Sequence, residues 1–111
     1  MYNQGDILLI AIPFSDLTSS KKRPVLVLSN DRYNSGTEDV IVAAITSNIN
    51  NKYTEVNITN TDIEHGDLKK DSCVRVDKIY TLSQSIVIKK YGVVKEDILK
   101  NVRLKLNEII S

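Results

Sequence analysis

The stretch KKRPVLVLSNDRYNSGTEDVIVAAITSN, residues 21–48, decides the fold class of this chain. It contains two apolar runs, RPVLVLSN at 23–30 and DVIVAAIT at 39–46, which are short and rich in β-branched residues. Such runs are typical of strands that are buried on both faces. The segment between them is rich in Asn, Asp, Ser and Gly, which favours a turn. The stretch therefore predicts two neighbouring strands of a buried sheet.

Segments on both sides of this stretch extend the sheet. An apolar run, DILLIAIPF at 6–14, precedes it and is closed by a proline. Polar and apolar residues alternate in YTEVNIT at 53–59 and in CVRVDKIYTL at 73–82, and SIVIKKYG at 85–92 follows after a short turn. Alternation is typical of strands with one exposed face. The sequence thus predicts about five to seven short strands in a mainly antiparallel barrel or strongly curled sheet.

The last segment, KEDILKNVRLKLNEII at 95–110, has the period of a helix. Its apolar residues fall on one helical face: Ile98, Leu99, Val102, Leu106, Ile109 and Ile110. Glu96 and Asp97 lie in the first turn, where the helix dipole favours acidic side chains. The predicted fold class is therefore mainly β (α+β), with a C-terminal α-helix.

Length and composition indicate one globular domain over residues 1–111. Hydrophobic residues make up 41% and charged residues 26%, which is ordinary for a globular protein. The net charge is only +1, so the charge of the whole molecule gives no preference for nucleic acid or for an anionic membrane. Any anion-binding site must come from local clustering of basic residues.

Cysteine and histidine each occur once, as Cys73 and His65. A single cysteine excludes an intrachain disulfide, and the pair is too small a set for a Cys/His zinc cluster, so no metal site is predicted. His65 lies in a polar loop, and we expect it to be a surface residue rather than a catalytic one. The N-terminal apolar run is interrupted by Pro13, which makes it too short for a membrane span and unlike a signal peptide. A cytoplasmic protein without membrane contact is expected.

A first candidate site is the basic cluster Lys21-Lys22-Arg23 in front of Pro24. Proline fixes its own φ and favours an extended conformation for the residue before it, so we expect Arg23 to be held at the entrance of a strand. A guanidinium group there can bind a phosphate through two parallel hydrogen bonds. The alternative is a solvated loop end.

A second candidate site is the end of the strand at 39–46, where Thr46, Ser47 and Asn48 follow one another. Hydroxyl and amide groups at a strand end can bind phosphate oxygens or base edges. The alternative is that these residues only begin a turn.

A third candidate site is VRVDKI at 74–79. Because strand side chains alternate, Val74 and Val76 should face the core while Arg75 and Asp77 share the other face, about 6.5 to 7 Å apart at Cα. A cation and a carboxylate aimed at the same space can act together on a phosphodiester. The alternative is a surface ion pair worth about 0 to 1 kcal/mol.

Taken together, these segments resemble the MazF/PemK (Kid-like) toxins of type II toxin–antitoxin systems. The resemblance rests on GDILLIAIPFSD, KKRPVLVLSND, DVIVAAITSN, HGDLKKDSCVRVDKIYTL and the closing helix, and it covers essentially the whole chain in matching order and spacing. It implies an SH3-like antiparallel β-barrel with a C-terminal α-helix, usually as a homodimer. It also implies a sequence-selective, metal-independent endoribonuclease that needs no cofactor. In that chemistry the ribose 2′-hydroxyl attacks the adjacent phosphodiester of single-stranded RNA and leaves a 2′,3′-cyclic phosphate and a 5′-hydroxyl.

The resemblance also implies roles for individual residues. Arg23 and Thr46 correspond to the usual catalytic pair of the family. Arg75 and Asp77 correspond to the acid–base pair of the Kid-like branch, although an Arg is a better charge stabiliser than proton donor. Six further residues are expected to bind substrate: Ser47, Asn48, Lys21, Lys22, Lys69 and Lys70. Lys21 and Lys22 are expected in a loop that is shorter than in the MazF branch. Because that loop helps to set the choice of RNA sequence, the cleavage motif of the MazF branch cannot be transferred to this chain.

The partners that the resemblance implies are RNA and an antitoxin. The antitoxin would carry an acidic and apolar disordered tail that folds across the RNA groove and covers Arg23 and the Lys69–Lys70 loop. DNA would be contacted only indirectly, through a toxin–antitoxin operator complex.

Two alternatives from other functional classes stay open. One is a CcdB-like gyrase poison on the same fold, which would carry a Trp near its C-terminus, whereas this chain has no Trp. The other is a non-catalytic barrel that binds RNA or a peptide, since the Kid-like branch has a His in the first loop region and this chain has none there.

Overall fold

The computed structural model describes residues 1–13 and 20–111. Seven strands, two α-helices and two single-turn 3-10 helices make up its regular structure. The strands are β1 (Asp6–Pro13), β2 (Ser20–Val27), β3 (Asp39–Thr46), β4 (Glu55–Ile58), β5 (Ile63–Glu64), β6 (Ser72–Ser83) and β7 (Val87–Val94). The helices are α1 (Asp31–Gly36) and α2 (Glu96–Ile110). The predicted last residue of the first strand, Phe14, and most of the predicted loop after it lie outside the described residues.

All seven strands form one sheet in the order β4-β6-β3-β2-β1-β7-β5, and every described pairing is antiparallel. The sheet curls into a nearly closed barrel, with β4 and β5 at its two edges. The predicted antiparallel barrel with a C-terminal helix is therefore confirmed. No helix of the described part is long and apolar enough to cross a membrane.

The central strands are buried on both faces, as their apolar runs predicted. On β1 and β2, Ile7 pairs with Leu26 in one hydrophobic cluster, and Leu8 pairs with Val25 in the other. The first cluster also contains the buried side chains of α2: Ile98, Leu99 and Val102. Since burial of each such side chain contributes about 1.5–3 kcal/mol, the two clusters fix the register of β1, β2 and β3.

Helix α2 covers the first cluster through the face that the sequence predicted, except at its end. Leu106 and Ile109 pack partly against the cluster, whereas Ile110 is 71% exposed. In the first two turns, Arg103 donates a hydrogen bond to Glu96 over 2.9 Å.

Strand β2 begins earlier than predicted. It starts at Ser20, and Lys21, Lys22 and Arg23 pair with the last residues of β1. The prediction that Lys21 and Lys22 lie in a loop was wrong, because their backbone groups continue the ladder with β1 although their side chains are polar and exposed. Arg23 is consequently inside a paired strand, which restricts it more than a strand entrance would.

The segment predicted as a turn between β2 and β3 contains the short helix α1. Asn30 caps it, with the side-chain oxygen accepting a hydrogen bond from the Tyr33 N–H over 2.9 Å. Asn34 is buried and donates its amide to the carbonyl oxygens of Tyr2 and Ser29, both over 3.0 Å.

Strand β6 contains a bulge beside β3. Ala43 pairs with Ile79, but the next residue, Ala44, pairs with Arg75, so residues 76–78 are extra on β6. Bulges change the direction of side chains and are frequent beside active sites.

Candidate active site

Arg23 and Thr46 line one groove at the end of the barrel where β2 begins and β3 ends. The groove has a volume of about 290 Å³. Its basic side chains are Lys22, Arg23, Lys69 and Lys70. Its hydroxyl groups come from Thr46, Ser47, Ser72 and Tyr91, and its apolar lining from Pro24, Ile45 and Leu68. The sequence predicted five of these residues as site residues in addition to Arg23, and the structure brings them together.

The strand register explains why Arg23 and Thr46 meet. Val25 pairs with Ala44 across β2 and β3, so the next position on the same face is occupied by Arg23 on one strand and Thr46 on the other. The pairing of β2 with β3 ends at Val25 and Ala44, and the backbone of Arg23 itself pairs with Ile10 of β1. The two side chains therefore lie on the same face of two neighbouring strands.

The Thr46 hydroxyl is held by the turn that follows β3. Its Oγ1 accepts a hydrogen bond from the Asn48 N–H over 3.1 Å. A hydroxyl whose oxygen accepts in this way keeps its own hydrogen to donate to a ligand. Ser47 lines the groove and is exposed, while Asn48 contributes its backbone N–H and does not line it.

Arg75 and Asp77 lie on the adjacent strand and do not line the groove. Arg75 donates from Nη2 to Oδ2 of Asp77 over 3.3 Å, and the two side chains are 31% and 33% exposed. Arg75 pairs with Ala44, and Cys73 pairs with Thr46, so Arg75 and Thr46 share one face of the sheet. Val74 and Val76 face the first core cluster, as predicted.

Two lysines of the groove stand on a loop that is fixed at both ends. The Leu68 N–H donates to Oδ1 of Asn60 over 2.7 Å, and the Ser72 hydroxyl donates to the Lys70 carbonyl over 3.0 Å. Lys69 and Lys70 are themselves exposed. Lys21 is also exposed, but it does not line the groove.

Glu55 is a buried acidic residue beside the groove. The sequence did not identify it as a site residue. It is 7% exposed and pairs with Arg75 across β4 and β6. Burial raises the pKa of its carboxyl, but hydrogen bonds outweigh this effect and leave the pKa below its usual value. The donors are the backbone N–H groups of Asn50, Asn51 and Lys52 and the thiol of Cys73. Glu55 thereby holds the turn that follows Thr46 and Ser47.

Cys73 is buried between Thr46 and Glu55 and stays a neutral thiol. Burial raises its pKa to about 11, and the hydrogen bond to Glu55 and the charge of that residue raise it as well. A thiol in this state is not a nucleophile. Its role here is to donate a hydrogen bond to the buried Glu55 carboxylate, which offsets part of the cost of burying that group.

No group of three or more His, Cys, Asp or Glu side chains that could hold a metal ion occurs in residues 1–13 and 20–111. A larger depression, of about 520 Å³, lies beside α1 and the first residues of β3, away from the strand end at Thr46. Among the described residues, its lining contains none of the predicted site residues and one ionisable side chain, Glu38. The groove of Arg23 and Thr46 is therefore the better candidate for chemistry.

Residues 3–110 match the family described as PemK-like, MazF-like toxin of type II toxin–antitoxin system.

Solved structures with a similar fold include a MazE–MazF complex from Deinococcus radiodurans, at 22% identity and a TM-score of 0.81, covering 98% of this chain and 95% of that one. An endoribonuclease in complex with its cognate antitoxin from a mycobacterial species is similar at 19% identity and a TM-score of 0.80, covering 97% and 93%. A MazF toxin of Mycobacterium tuberculosis is similar at 20% identity and a TM-score of 0.76, covering 93% of each chain. Since the family match spans nearly the whole sequence, the chain belongs to the PemK-like, MazF-like toxin family of type II toxin–antitoxin systems.

Proposed function

We propose that this protein is a toxin that cleaves single-stranded RNA as a sequence-selective, metal-independent endoribonuclease. The observation that carries the proposal is the groove in which Arg23 and Thr46 lie together, with Lys22, Lys69 and Lys70 around them. An Arg on a paired strand, a hydroxyl donor and surrounding cations together suit the binding of a phosphodiester. Membership of the toxin family and the similarity to an endoribonuclease–antitoxin complex support RNA as the proposed substrate class.

In the proposed reaction, the RNA extends from the groove across β3 onto β6, where Asp77 accepts the proton of the ribose 2′-hydroxyl. The resulting oxygen attacks the adjacent phosphorus. The bond from phosphorus to the 5′-oxygen of the next nucleotide breaks. The products are a 2′,3′-cyclic phosphate and a 5′-hydroxyl. General-base assistance of this kind contributes about 10²- to 10⁴-fold to a rate.

Arg23 stabilises the charge that develops on the non-bridging oxygens in the transition state. Its backbone is held in β2 by pairing with Ile10 of β1, so little backbone reorganisation is needed when the charge appears. Thr46 donates its hydroxyl hydrogen to the same phosphate, because its oxygen is already engaged by the Asn48 N–H.

Arg75 serves as a second charge stabiliser and orients Asp77 through their hydrogen bond. A guanidinium keeps its proton throughout the usable pH range, so it is unsuited to donating one to the leaving group. Water is the proposed proton donor to the 5′-oxygen.

Metal independence is proposed from the charges around the groove. Its basic side chains already supply the positive charge that a divalent cation would bring to the phosphate, and they would repel such a cation.

Cleavage of messenger RNA would inhibit translation and growth, and a cognate antitoxin would restrain it. An acidic and apolar tail of the antitoxin fits the same basic groove with its apolar lining. A homodimer is proposed as the working form, as in the family that the sequence resembles.

The test is incubation of purified protein with a broad panel of single-stranded RNAs in excess chelator. Discrete fragments that end in a 2′,3′-cyclic phosphate are expected. No cleavage across the panel would refute the proposal, and tight RNA binding without turnover would favour a non-catalytic barrel instead.

A further inference from the structure

Tyr91 is directed into the groove by an irregularity of β7. Ile7 of β1 pairs with Gly92 and the next residue, Leu8, pairs with Lys90, so Tyr91 is the extra residue of a bulge. The side chain is half-buried, packs partly against the first core cluster and lines the groove that contains Arg23 and Thr46. The sequence pattern did not single it out.

The backbone around Tyr91 is tightly supported. A Cβ added at Gly66 would overlap the Tyr91 carbonyl oxygen, so only glycine allows the loop after β5 to cross β7 here. His65, immediately before, has the positive φ of 56° that this crossing requires. Lys89 places its Nζ 4.8 Å from the centroid of the Tyr91 ring, and Lys89 does not line the groove. The ring is therefore held in place by groups outside the groove.

The groove combines this ring with positive charge. Pro24, Ile45 and Leu68 make the rest of its apolar lining, and no acidic side chain of the described residues lines it. Asp67 and Asp71 flank the Lys69–Lys70 loop but do not reach the groove lining. The ligand that fits is an anion that carries a flat, largely apolar group, which is the chemistry of a nucleotide in a single strand.

We propose that Tyr91 is the stacking platform for one nucleobase of the RNA, next to the phosphate held by Arg23 and Thr46. This inference rests on the proposed function and adds a base-binding subsite to it. The groove's volume of about 290 Å³ is at the lower limit of small-ligand sites, so it holds one nucleotide rather than a folded RNA element. Stacking is tolerant of base identity, so the subsite requires a base without selecting strongly among the four.

The test combines variants of Tyr91 with RNAs that lack one base. The cleavage position is first mapped, and a 2′-deoxy nucleotide is placed there so that the RNA binds without being cut. Each flanking base is then replaced in turn by an abasic site, and the Kd is measured by fluorescence anisotropy at fixed salt. One abasic position is expected to weaken binding to the unmodified protein by about 5- to 150-fold.

Tyr91→Leu should weaken binding of the intact RNA by a similar factor and should abolish the additional effect of that abasic position. Tyr91→Phe is the matched control, because it keeps the ring and should behave as the unmodified protein. Two results would overturn the inference. One is that Tyr91→Leu and each abasic site weaken RNA binding by independent factors that multiply at every position, and the other is that Tyr91→Leu binds the intact RNA as tightly as the unmodified protein.

A cross-linking experiment on the unmodified protein avoids any folding defect of the variants. RNA with 5-iodouracil at the identified position should cross-link, on irradiation, to a peptide that contains Tyr91. Cross-links confined to other peptides would overturn the base subsite while leaving RNA cleavage intact.

If the protein neither binds nor cleaves the RNA panel, the proposed function fails and this inference fails with it. If it binds RNA without cleaving it, the same abasic scan is made on the uncut RNA.

Discussion

The Arg75 guanidinium donates a hydrogen bond from Nη2 to Oδ2 of Asp77 over 3.3 Å, and Asp77 lies within the bulge of β6 at residues 76–78. Both side chains are about one-third exposed, and Arg75 shares a sheet face with Thr46. The carboxylate is thus reachable by an RNA that lies across β3 and β6, while the guanidinium limits its orientation.

Asp77→Asn should lower kcat for RNA cleavage by about 100- to 10,000-fold, because an amide cannot accept the 2′-hydroxyl proton. Binding of a 2′-deoxy RNA should change little. Stability should also change little, because an exposed ion pair contributes about 0–1 kcal/mol. Glu64→Gln removes an exposed acid on β5 and serves as the control. Full activity of Asp77→Asn would remove this residue from the mechanism.

Lys22→Ala and Lys69→Ala should each reduce the salt dependence of RNA binding. Each lysine that neutralises a phosphate adds about 0.7 to the slope of log K against log salt for a single strand, so each variant should lower the slope by about that amount. Lys100→Ala, on the exposed side of α2, should leave the slope unchanged. The measurement is a salt titration of binding to a 2′-deoxy RNA, and equal slopes for all three variants would argue against a basic groove.

Glu55→Gln should lower the Tm at neutral pH, because the buried carboxylate that holds the turn after Thr46 is lost. The folded-state pKa of Glu55 is below its ordinary value of 4.5, so the charged group stabilises the fold above that value and ceases to do so as the pH falls through the folded-state pKa. The difference in Tm between the unmodified protein and Glu55→Gln should therefore shrink below about pH 4.5. Glu108→Gln, which changes an exposed acid of α2, is the control. A difference that grows in acid would contradict the assigned direction.

Gly66→Ala should destabilise the fold by about 1–3 kcal/mol, because the added methyl overlaps the backbone of Tyr91 and the loop must move. Gly36→Ala meets nothing within 4 Å and should change stability by less than about 0.5 kcal/mol. Urea unfolding of both variants checks the comparison. Equal stability of the two variants would mean that the loop after β5 does not pack as closely against Tyr91 as the distances at Gly66 indicate.

The sequence predicted the strands that are marked by runs of apolar residues. It missed features that depend on polar residues. Strand β3 has the predicted bounds, and α2 begins one residue later than predicted. The first residues of β2 were missed because Lys21 and Lys22 are paired only through their backbone. Glu55 was expected on a half-exposed face, and it is buried because the turn at 50–52 closes over it, which no periodicity can show.

The groove was predictable only in part for a related reason. Arg23 and Thr46 could be placed at neighbouring strand ends from local patterns. Leu68 and Tyr91 reach the same groove from distant parts of the chain, through a loop and a bulge. The positions of such residues depend on the strand order, which the sequence alone left open.

The central claim is that Arg23 stabilises the charge of a phosphodiester during RNA cleavage, and it is tested by comparing the unmodified protein with Arg23→Ala on single-stranded RNA in excess chelator. Arg103→Ala, which changes an exposed Arg of α2, is the matched control. We predict 2′,3′-cyclic phosphate products from the unmodified protein and the control. Arg23→Ala should lose about 100- to 1,000-fold or more in kcat with an unchanged circular dichroism spectrum. Undiminished cleavage by folded Arg23→Ala would contradict the account.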